Sequence, residues 1–208
     1  MSEIAIDLSK YQHVQLPTLY QTQIHLTKYA RYNDELNRRE TWSETVYRYM
    51  QFMINLTERH GYDLPKDIQI TLYEAILNLE VMPSMRAMMT AGPALERDNS
   101  AGFNCAYLNV NRVAAFDETM YLLMCGVGVG FSVERQFIVD LPELPNALYP
   151  SDSVISVRDS RGGWAAALKQ LISLLYSGHV PKCDVSKIRA SGVKLKTFGG
   201  RASGPGPL

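Results

Sequence analysis

Three cysteines are the residues of this chain best suited to covalent chemistry: Cys105, Cys125 and Cys183. Because they are odd in number and show no C-x-x-C spacing, they predict free thiols in a reducing compartment and no metal site. Cys105 differs from the others because it follows a polar, glycine-containing loop and opens a predicted strand. A cysteine at such a junction can be accessible enough for thiol chemistry, whereas a buried cysteine is usually an inert, small hydrophobic residue. From the residues alone, Cys105 can be either a redox-active thiol or an inert, buried residue.

A glycine series follows Cys125, at positions 126, 128 and 130. A dinucleotide-binding loop needs a strand before its glycines and a helix after them. Here the apolar segment 116–124 predicts a buried helix before the glycines, and 127–134 predicts a strand after them. We therefore expect either a glycine-rich bend in a buried strand or a strand that a ligand approaches closely.

The end of the chain holds groups that could bind phosphate. The stretch Thr197-Phe-Gly-Gly-Arg-Ala-Ser-Gly-Pro offers backbone N–H groups, a hydroxyl and a guanidinium. From Lys182 to Arg201, six basic residues stand against one acid, Asp184. A plain surface loop is the alternative reading of the same composition.

Composition excludes several classes of protein. With 21 basic and 21 acidic residues, the chain has no net charge that would attract nucleic acid or an anionic membrane over a long range. Its 46% of hydrophobic residues is typical of a globular protein, yet no apolar run approaches the ~20 residues that span a bilayer. We expect a cytoplasmic protein that binds neither DNA nor membranes directly.

Helices and short strands alternate along the chain, which predicts an α/β architecture. Thr41 and Glu44 form a capping box that predicts a helix start. A second helix is expected from Pro65, with its buried face at Ile68, Leu72, Ile76 and Leu79, and a third over 162–177 that Asp159 or Ser160 would cap. Segment 82–104 reads as loop, and the prolines of 137–150 indicate a connection.

Five segments in this order resemble a known family. They are Met82-Pro-Ser-Met-Arg, Gly102-Phe-Asn-Cys-Ala-Tyr, Gly126-Val-Gly-Val-Gly-Phe-Ser-Val-Glu, Asp159-Ser-Arg-Gly-Gly-Trp and Thr197-Phe-Gly-Gly-Arg-Ala-Ser-Gly-Pro. Together they resemble the front of ribonucleotide reductases, most closely the adenosylcobalamin-dependent (class II) ribonucleoside-triphosphate reductase type.

The resemblance implies a fold and a set of site residues. It implies an N-terminal helical region, residues 1–80, followed by the first part of a ten-stranded α/β barrel, residues 81–208. Cys105 matches a redox-active reductant cysteine, Ser84 and Asn104 match positions near the substrate's phosphate and sugar, and Gly128 and Gly130 match the wall behind the substrate. The stretch that leads into the effector loop supplies Gly199, Gly200, Arg201, Ser203 and Gly204.

The resemblance also implies partners. These are a ribonucleoside di- or triphosphate substrate, a deoxynucleotide effector, a thioredoxin-type reductant and adenosylcobalamin. The radical-bearing cysteine, the second reductant cysteine and most of the cofactor site are expected beyond Leu208. We therefore expect a chain truncated at its C-terminus and inactive without a complementary C-terminal chain. The alternatives are a nucleotide-binding regulatory module without catalysis and a fragment of a class I large subunit.

Overall fold

The computed structural model describes residues 5–195 and 200–207. The chain passes from one compact unit to another between Gly102 and Phe103. Within the described residues, no helix combines the length and the apolar character needed to cross a membrane. The expected division of the chain near residue 80 stays a prediction.

The first unit is mainly helical. Its helices are α1 (Leu19–Ile24), α2 (Trp42–Arg59), α3 (Lys66–Leu77), α4 (Met85–Thr90) and α5 (Pro93–Arg97), with 3-10 turns at Leu8–Tyr11 and Asn99–Gly102, a π-helical turn at His25–Tyr29, and a small antiparallel hairpin of β1 (Tyr32–Asn33) and β2 (Arg38–Arg39). The capping box at the start of α2 is confirmed, because Thr41 and Glu44 satisfy each other's backbone N–H groups.

The predicted buried face of α3 is wrong. Ile68 and Leu72 are exposed, whereas Gln69 and Tyr73 are buried together with Ile76. The polar groups of this face find partners that local sequence does not show. Tyr73 donates its hydroxyl to the Ser43 carbonyl at 3.1 Å, and Gln69 donates to the Leu64 carbonyl at 2.8 Å. Burying these side chains is favourable because their hydrogen bonds are satisfied.

Segment 82–104 is not the loop that its composition predicts. It forms α4, α5 and a 3-10 turn, which bury Ala91, Leu95 and Ala101 against Phe52 of α2. The reason is tertiary, since small and apolar side chains spaced along short helices fill the surface of α2.

The second unit consists of two parallel strand–helix–strand repeats. The first joins β3 (Cys105–Asn109), α6 (Ala114–Met124) and β4 (Gly128–Ser132), and the second joins β5 (Tyr149–Ser156), α8 (Arg161–Tyr176) and β6 (His179–Asp184). A short helix, α7 (Arg135–Ile138), follows β4. Parallel strands joined through helices confirm the α/β class.

The expectation of a buried α6 is wrong. Among the residues of α6 only Ala115 is buried, so the helix is not enclosed on all sides as its apolar sequence suggests. Cys183 lies in strand β6. The sequence does not predict strand β5 because Pro150 and the polar residues after it interrupt the alternation of apolar and polar side chains. In the structure, the β5–β6 register shifts between Pro150 and Val154.

Helix α8 begins where the cap was expected. Ser160 caps it by accepting a hydrogen bond from the Gly163 amide at 3.0 Å, while Asp159 instead pairs with Arg189 at 2.8 Å. Ile155 and Val157 pack against Ala167 of this helix. The packing fixes α8 against the β5–β6 pair.

Candidate active site

The β3–β4 pair brings together four residues that were predicted from the sequence as site residues: Asn104, Cys105, Gly128 and Gly130. In its parallel register Cys105 lies beside Gly128, and Tyr107 lies beside Gly130. The Gly128 amide donates a hydrogen bond to the Asn104 carbonyl at 2.8 Å, immediately before the strand begins. The strand pair thus places a thiol, a polar side chain and a row of glycines in adjacent positions.

Cys105 is an exposed, free thiol. Because side chains alternate along a strand, Cys105, Tyr107 and Asn109 share one face of β3, and their register partners share the same face of β4. Asn104, Cys105, Gly128 and Gly130 are all exposed. The thiol therefore stands on an open surface that a ligand can reach.

Backbone conformation does not require glycine at 128 or 130. Gly126 has a φ of 81° and ends α6, where the amides of Gly126 and Val127 bond back to carbonyls of the last turn. Neither Gly128 nor Gly130 has such a positive φ, and a Cβ at either position would meet its neighbours no closer than 3.5 Å. Their effect is to leave the surface beside Cys105 and Tyr107 without side chains.

The other two cysteines stand in different surroundings. Cys125 is completely buried at the end of α6, and its sulfur accepts a hydrogen bond from the Arg161 guanidinium at 2.8 Å. Arg161 also lies over the ring of Tyr121, 5.8 Å from its centre. Cys183 is exposed on β6. Of the three thiols, Cys105 alone is exposed beside Gly128 in the β3–β4 register.

Ser84 lies in the first unit, exposed, at the position before α4. The other end of this short helix is held by two guanidinium groups. Arg48 donates to the carbonyls of Met88 and Ala91, each at 3.0 Å, and Arg31 donates to that of Met89 at 3.0 Å. Cations are favourable at a helix C-terminus, where carbonyls carry partial negative charge.

A buried ion pair anchors that arrangement. Arg48 meets Glu40 at 2.8 Å, and each side chain is only 15% exposed. Glu40 also accepts hydrogen bonds from the Arg31 amide and from Thr45, whose hydroxyl contacts His25. Burial lowers the pKa of His25 below its ordinary value. The network joins α2 and α4 to the turn that contains His25.

In the described part of the expected effector segment, residues 200–202 pair with residues 192–195 through backbone hydrogen bonds. The backbone of Arg201 forms an isolated antiparallel β-bridge with that of Lys194. The Arg201 side chain donates a hydrogen bond to the Gly192 carbonyl at 2.9 Å. Gly204 needs its glycine, since its φ is 76° and a Cβ there would lie 2.9 Å from the Ser191 nitrogen. Gly200 also has a positive φ, and the Ser203 hydroxyl contacts the Gly204 carbonyl. Gly199 lies outside the described residues.

Within residues 5–195 and 200–207, no group of three His, Cys, Asp or Glu side chains is placed to hold an ion.

Comparisons with known proteins agree with the motifs. A family described as the insertion domain of B12-dependent ribonucleotide reductase matches residues 143–208. A protein of Mycobacterium phage D29 assigned to the adenosylcobalamin-dependent ribonucleoside-triphosphate reductases is 33% identical over 82% of this chain. The enzyme of that name from Euglena gracilis is 30% identical over 89% of the chain.

The chain belongs to the adenosylcobalamin-dependent ribonucleotide reductases. It spans 29% of the length of the phage relative and 27% of that of the Euglena relative. The fold agrees with a crystal structure of a B12-dependent (class II) ribonucleotide reductase, with a TM-score of 0.81 and 24% identity, over 99% of this chain and 38% of that one.

Sequence analysis did not single out two further residues on the face of β3 that carries Cys105, namely Tyr107 and Asn109. The signal that finds them is the two-residue period of a strand counted from Cys105. That count becomes informative only when the strand's register against β4 is known.

Proposed function

We propose that this chain is the N-terminal portion of a ribonucleotide reductase that converts ribonucleotides to deoxyribonucleotides, and that Cys105 is one of its two reductant thiols. The observation that carries the proposal is the exposed Cys105 in register with Gly128, on a face that the glycines leave open. Asn104, Gly128 and Gly130 form the surface on which the nucleotide lies.

The proposed role of Cys105 is reductive. Cys105 and a second cysteine together give up two protons and two electrons and become joined in a disulfide. The ribose 2′-hydroxyl leaves as water, and the carbon that carried it gains a hydrogen in its place. A thioredoxin-type dithiol then reduces the disulfide by thiol–disulfide exchange. Cys125 is buried and bonded to Arg161, and Cys183 lies on the β5–β6 pair, away from the β3–β4 register of Cys105. We therefore assign the second thiol to a complementary C-terminal chain.

Adenosylcobalamin, named for the relatives, does not match the cavity of the first unit. The cavity between α2, α3 and Pro83 measures about 390 Å³ and has an apolar lining. Pockets for drug-sized ligands measure about 300–1,000 Å³, and a corrin with its nucleotide arm is larger than such ligands. We assign the cofactor, which would supply the radical, to the complementary chain, and no step proposed for Cys105 passes through it.

The two strand pairs support a role as part of a larger barrel. Each described parallel sheet has two strands, and parallel sheets are normally larger and covered on both faces. Exposed apolar side chains stand on these strands, among them Tyr149 and Val154. We propose that residues 81–208 supply the first strands of a ten-stranded α/β barrel and that residues 1–80 form the helical region before it.

The remaining assignments follow from the same proposal. Ser84 contacts the phosphates of a ribonucleoside di- or triphosphate substrate. Gly199, Gly200, Arg201, Ser203 and Gly204 belong to the segment that responds to a deoxynucleotide effector. The basic residues near this segment, such as Lys194, suit an anionic ligand.

Complementation tests the proposal. The chain is mixed with the Euglena gracilis relative from which the region that this chain matches has been removed. Adenosylcobalamin, ribonucleoside triphosphate and reduced thioredoxin are then added. Sedimentation monitors complex formation while deoxynucleotide is assayed. We expect turnover with the original chain, none with Cys105→Ser, and turnover close to the original with Cys183→Ser. A complex that forms without turnover, or full activity of Cys105→Ser, would remove the proposed role.

A further inference from the structure

Tyr107 is a prominent side chain beside Cys105 that the redox step does not use. Its ring is 65% exposed, and its register partner is Gly130. Residues two apart on a strand point to the same face and lie about 6.6 Å apart. The ring and the thiol therefore border one surface.

The surface between them is open. A Cβ at Gly130 would lie 3.7 Å from Cδ2 of the Tyr107 ring, and one at Gly128 would lie 3.5 Å from the Asn104 carbonyl. Glycine at both positions makes a floor without side chains, with the Tyr107 ring along one side and the Cys105 thiol near one end. Such a floor accommodates a flat or ring-shaped group.

Asn109 follows Tyr107 on the same face of β3. Its side-chain oxygen Oδ1 is buried and accepts no hydrogen bond within the described part of the chain. Because buried acceptors in folded proteins nearly always have a partner, we expect a water or further polypeptide beside β3 to supply one.

We propose that the Tyr107 ring contacts the nucleoside of the bound ribonucleotide and holds its ribose over Gly128, within reach of Cys105. The inference rests on the proposed function and adds a substrate-contacting residue to it. An aromatic ring suits this role because it packs on the faces of bases and sugars with little loss of conformational freedom.

Phe131 provides a matched control. It is an aromatic residue of the same sheet, 60% exposed, and it directly follows Gly130 on β4. Because successive side chains alternate, Phe131 points to the opposite face from Tyr107 and Cys105. Its removal changes exposed aromatic surface without changing the proposed nucleoside contact.

The test measures how ribonucleoside triphosphate slows alkylation of Cys105 by iodoacetamide in the complex with the complementary chain. Mass spectrometry follows each cysteine separately. In the original complex we expect Cys105 to be protected and Cys183 to react at an unchanged rate. Buried Cys125 should stay unmodified in every variant, which checks folding.

Tyr107→Ala should raise the nucleotide concentration for half-protection about tenfold, the scale of losing one aromatic–nucleoside contact. Tyr107→Phe and Phe131→Ala should stay within about twofold of the original, because both keep a ring at position 107. If the nucleotide concentration for half-protection were unchanged in Tyr107→Ala, or shifted equally in Phe131→Ala, the Tyr107 contact would be overturned while the proposed function would stand. Absence of protection in the original complex would overturn the nucleotide site of the proposed function, and the Tyr107 contact with it.

Discussion

The two units of this chain bury their apolar residues to different degrees. In the first unit, large side chains such as Trp42, Ile54 and Tyr73 are almost fully buried and form one continuous cluster. In the second, the cluster between β5 and α8 has Ile155, Val157 and Ala167 as its buried members. Many apolar side chains of its strands are exposed.

This difference separates a unit built around its own core from one built around a surface. In the first unit, the buried Trp42 donates its indole N–H to the Leu77 carbonyl at 2.9 Å. The second unit exposes a thiol, an aromatic ring and two glycines along one strand pair. The exposure of these groups agrees with the proposal that the surface of β3 and β4 contacts a ligand and further polypeptide.

The largest effect is expected in the first unit, from Arg48→Met. The change leaves the carboxylate of Glu40 buried without its ion-pair partner, which should lower the free energy of unfolding by about 3–5 kcal/mol. Fluorescence of Trp42 in a Trp164→Phe background measures that unit during denaturation. Arg38→Met, which breaks the exposed Arg38–Glu44 pair, is the control and should change stability little. Equal losses in the two variants would show that burial of the pair is unimportant.

The next effect is expected in the second unit, from Gly163→Ala. The new Cβ would lie 2.3 Å from the Arg158 carbonyl oxygen, so the backbone must shift. We expect a loss of about 1–3 kcal/mol, typical of overpacking. Trp164 fluorescence in a Trp42→Phe background measures this unit.

Its neighbour supplies the control. A Cβ at Gly162 would meet nothing within 4 Å, so Gly162→Ala should stabilise α8 by roughly 0.5–1 kcal/mol. If both substitutions changed the free energy of unfolding in the same direction, the close approach of Gly163 to Arg158 would not explain the effect of Gly163→Ala.

The smallest effect concerns the pH dependence of the first unit. The Arg38 guanidinium, followed by the Thr41 amide, lowers the pKa of Glu44 from its ordinary 4.5 to about 2. Ionised Glu44 therefore contributes stability that is complete above the ordinary pKa and is lost as the pH falls toward 2. The difference in unfolding free energy between the original chain and Glu44→Gln should narrow over this range. A difference independent of pH would show that the carboxylate charge has no part in it.

Local signals predicted α2 and α3 of the first unit as helices, whereas α4 and α5 depend on long-range contacts. The capping box of α2 is readable because Thr41 and Glu44 are three residues apart. The buried face of α3 is not, because Gln69 and Tyr73 depend on partners in other segments, such as Ser43. The helices of 85–97 form against Phe52, a contact that composition alone does not reveal.

The candidate site shows the same division. Cys105 at a loop-to-strand junction and the glycines after Cys125 were identified from residue types and the family resemblance. Their adjacency depends on the β3–β4 register, which short-range patterns do not determine. Tyr107 has no feature in the sequence that separates it from other strand residues, and only the register against β4 shows that it lies beside Gly130.

The most direct test of the central claim is the oxidation state of Cys105 after a single turnover. The complex of this chain with its complementary chain is reduced, freed of external reductant, given one equivalent of ribonucleotide, and mapped by non-reducing peptide mass spectrometry. We predict a disulfide between Cys105 and a cysteine of the complementary chain, formed in proportion to deoxynucleotide. Deoxynucleotide formed in full while Cys105 stays a free thiol would contradict the account.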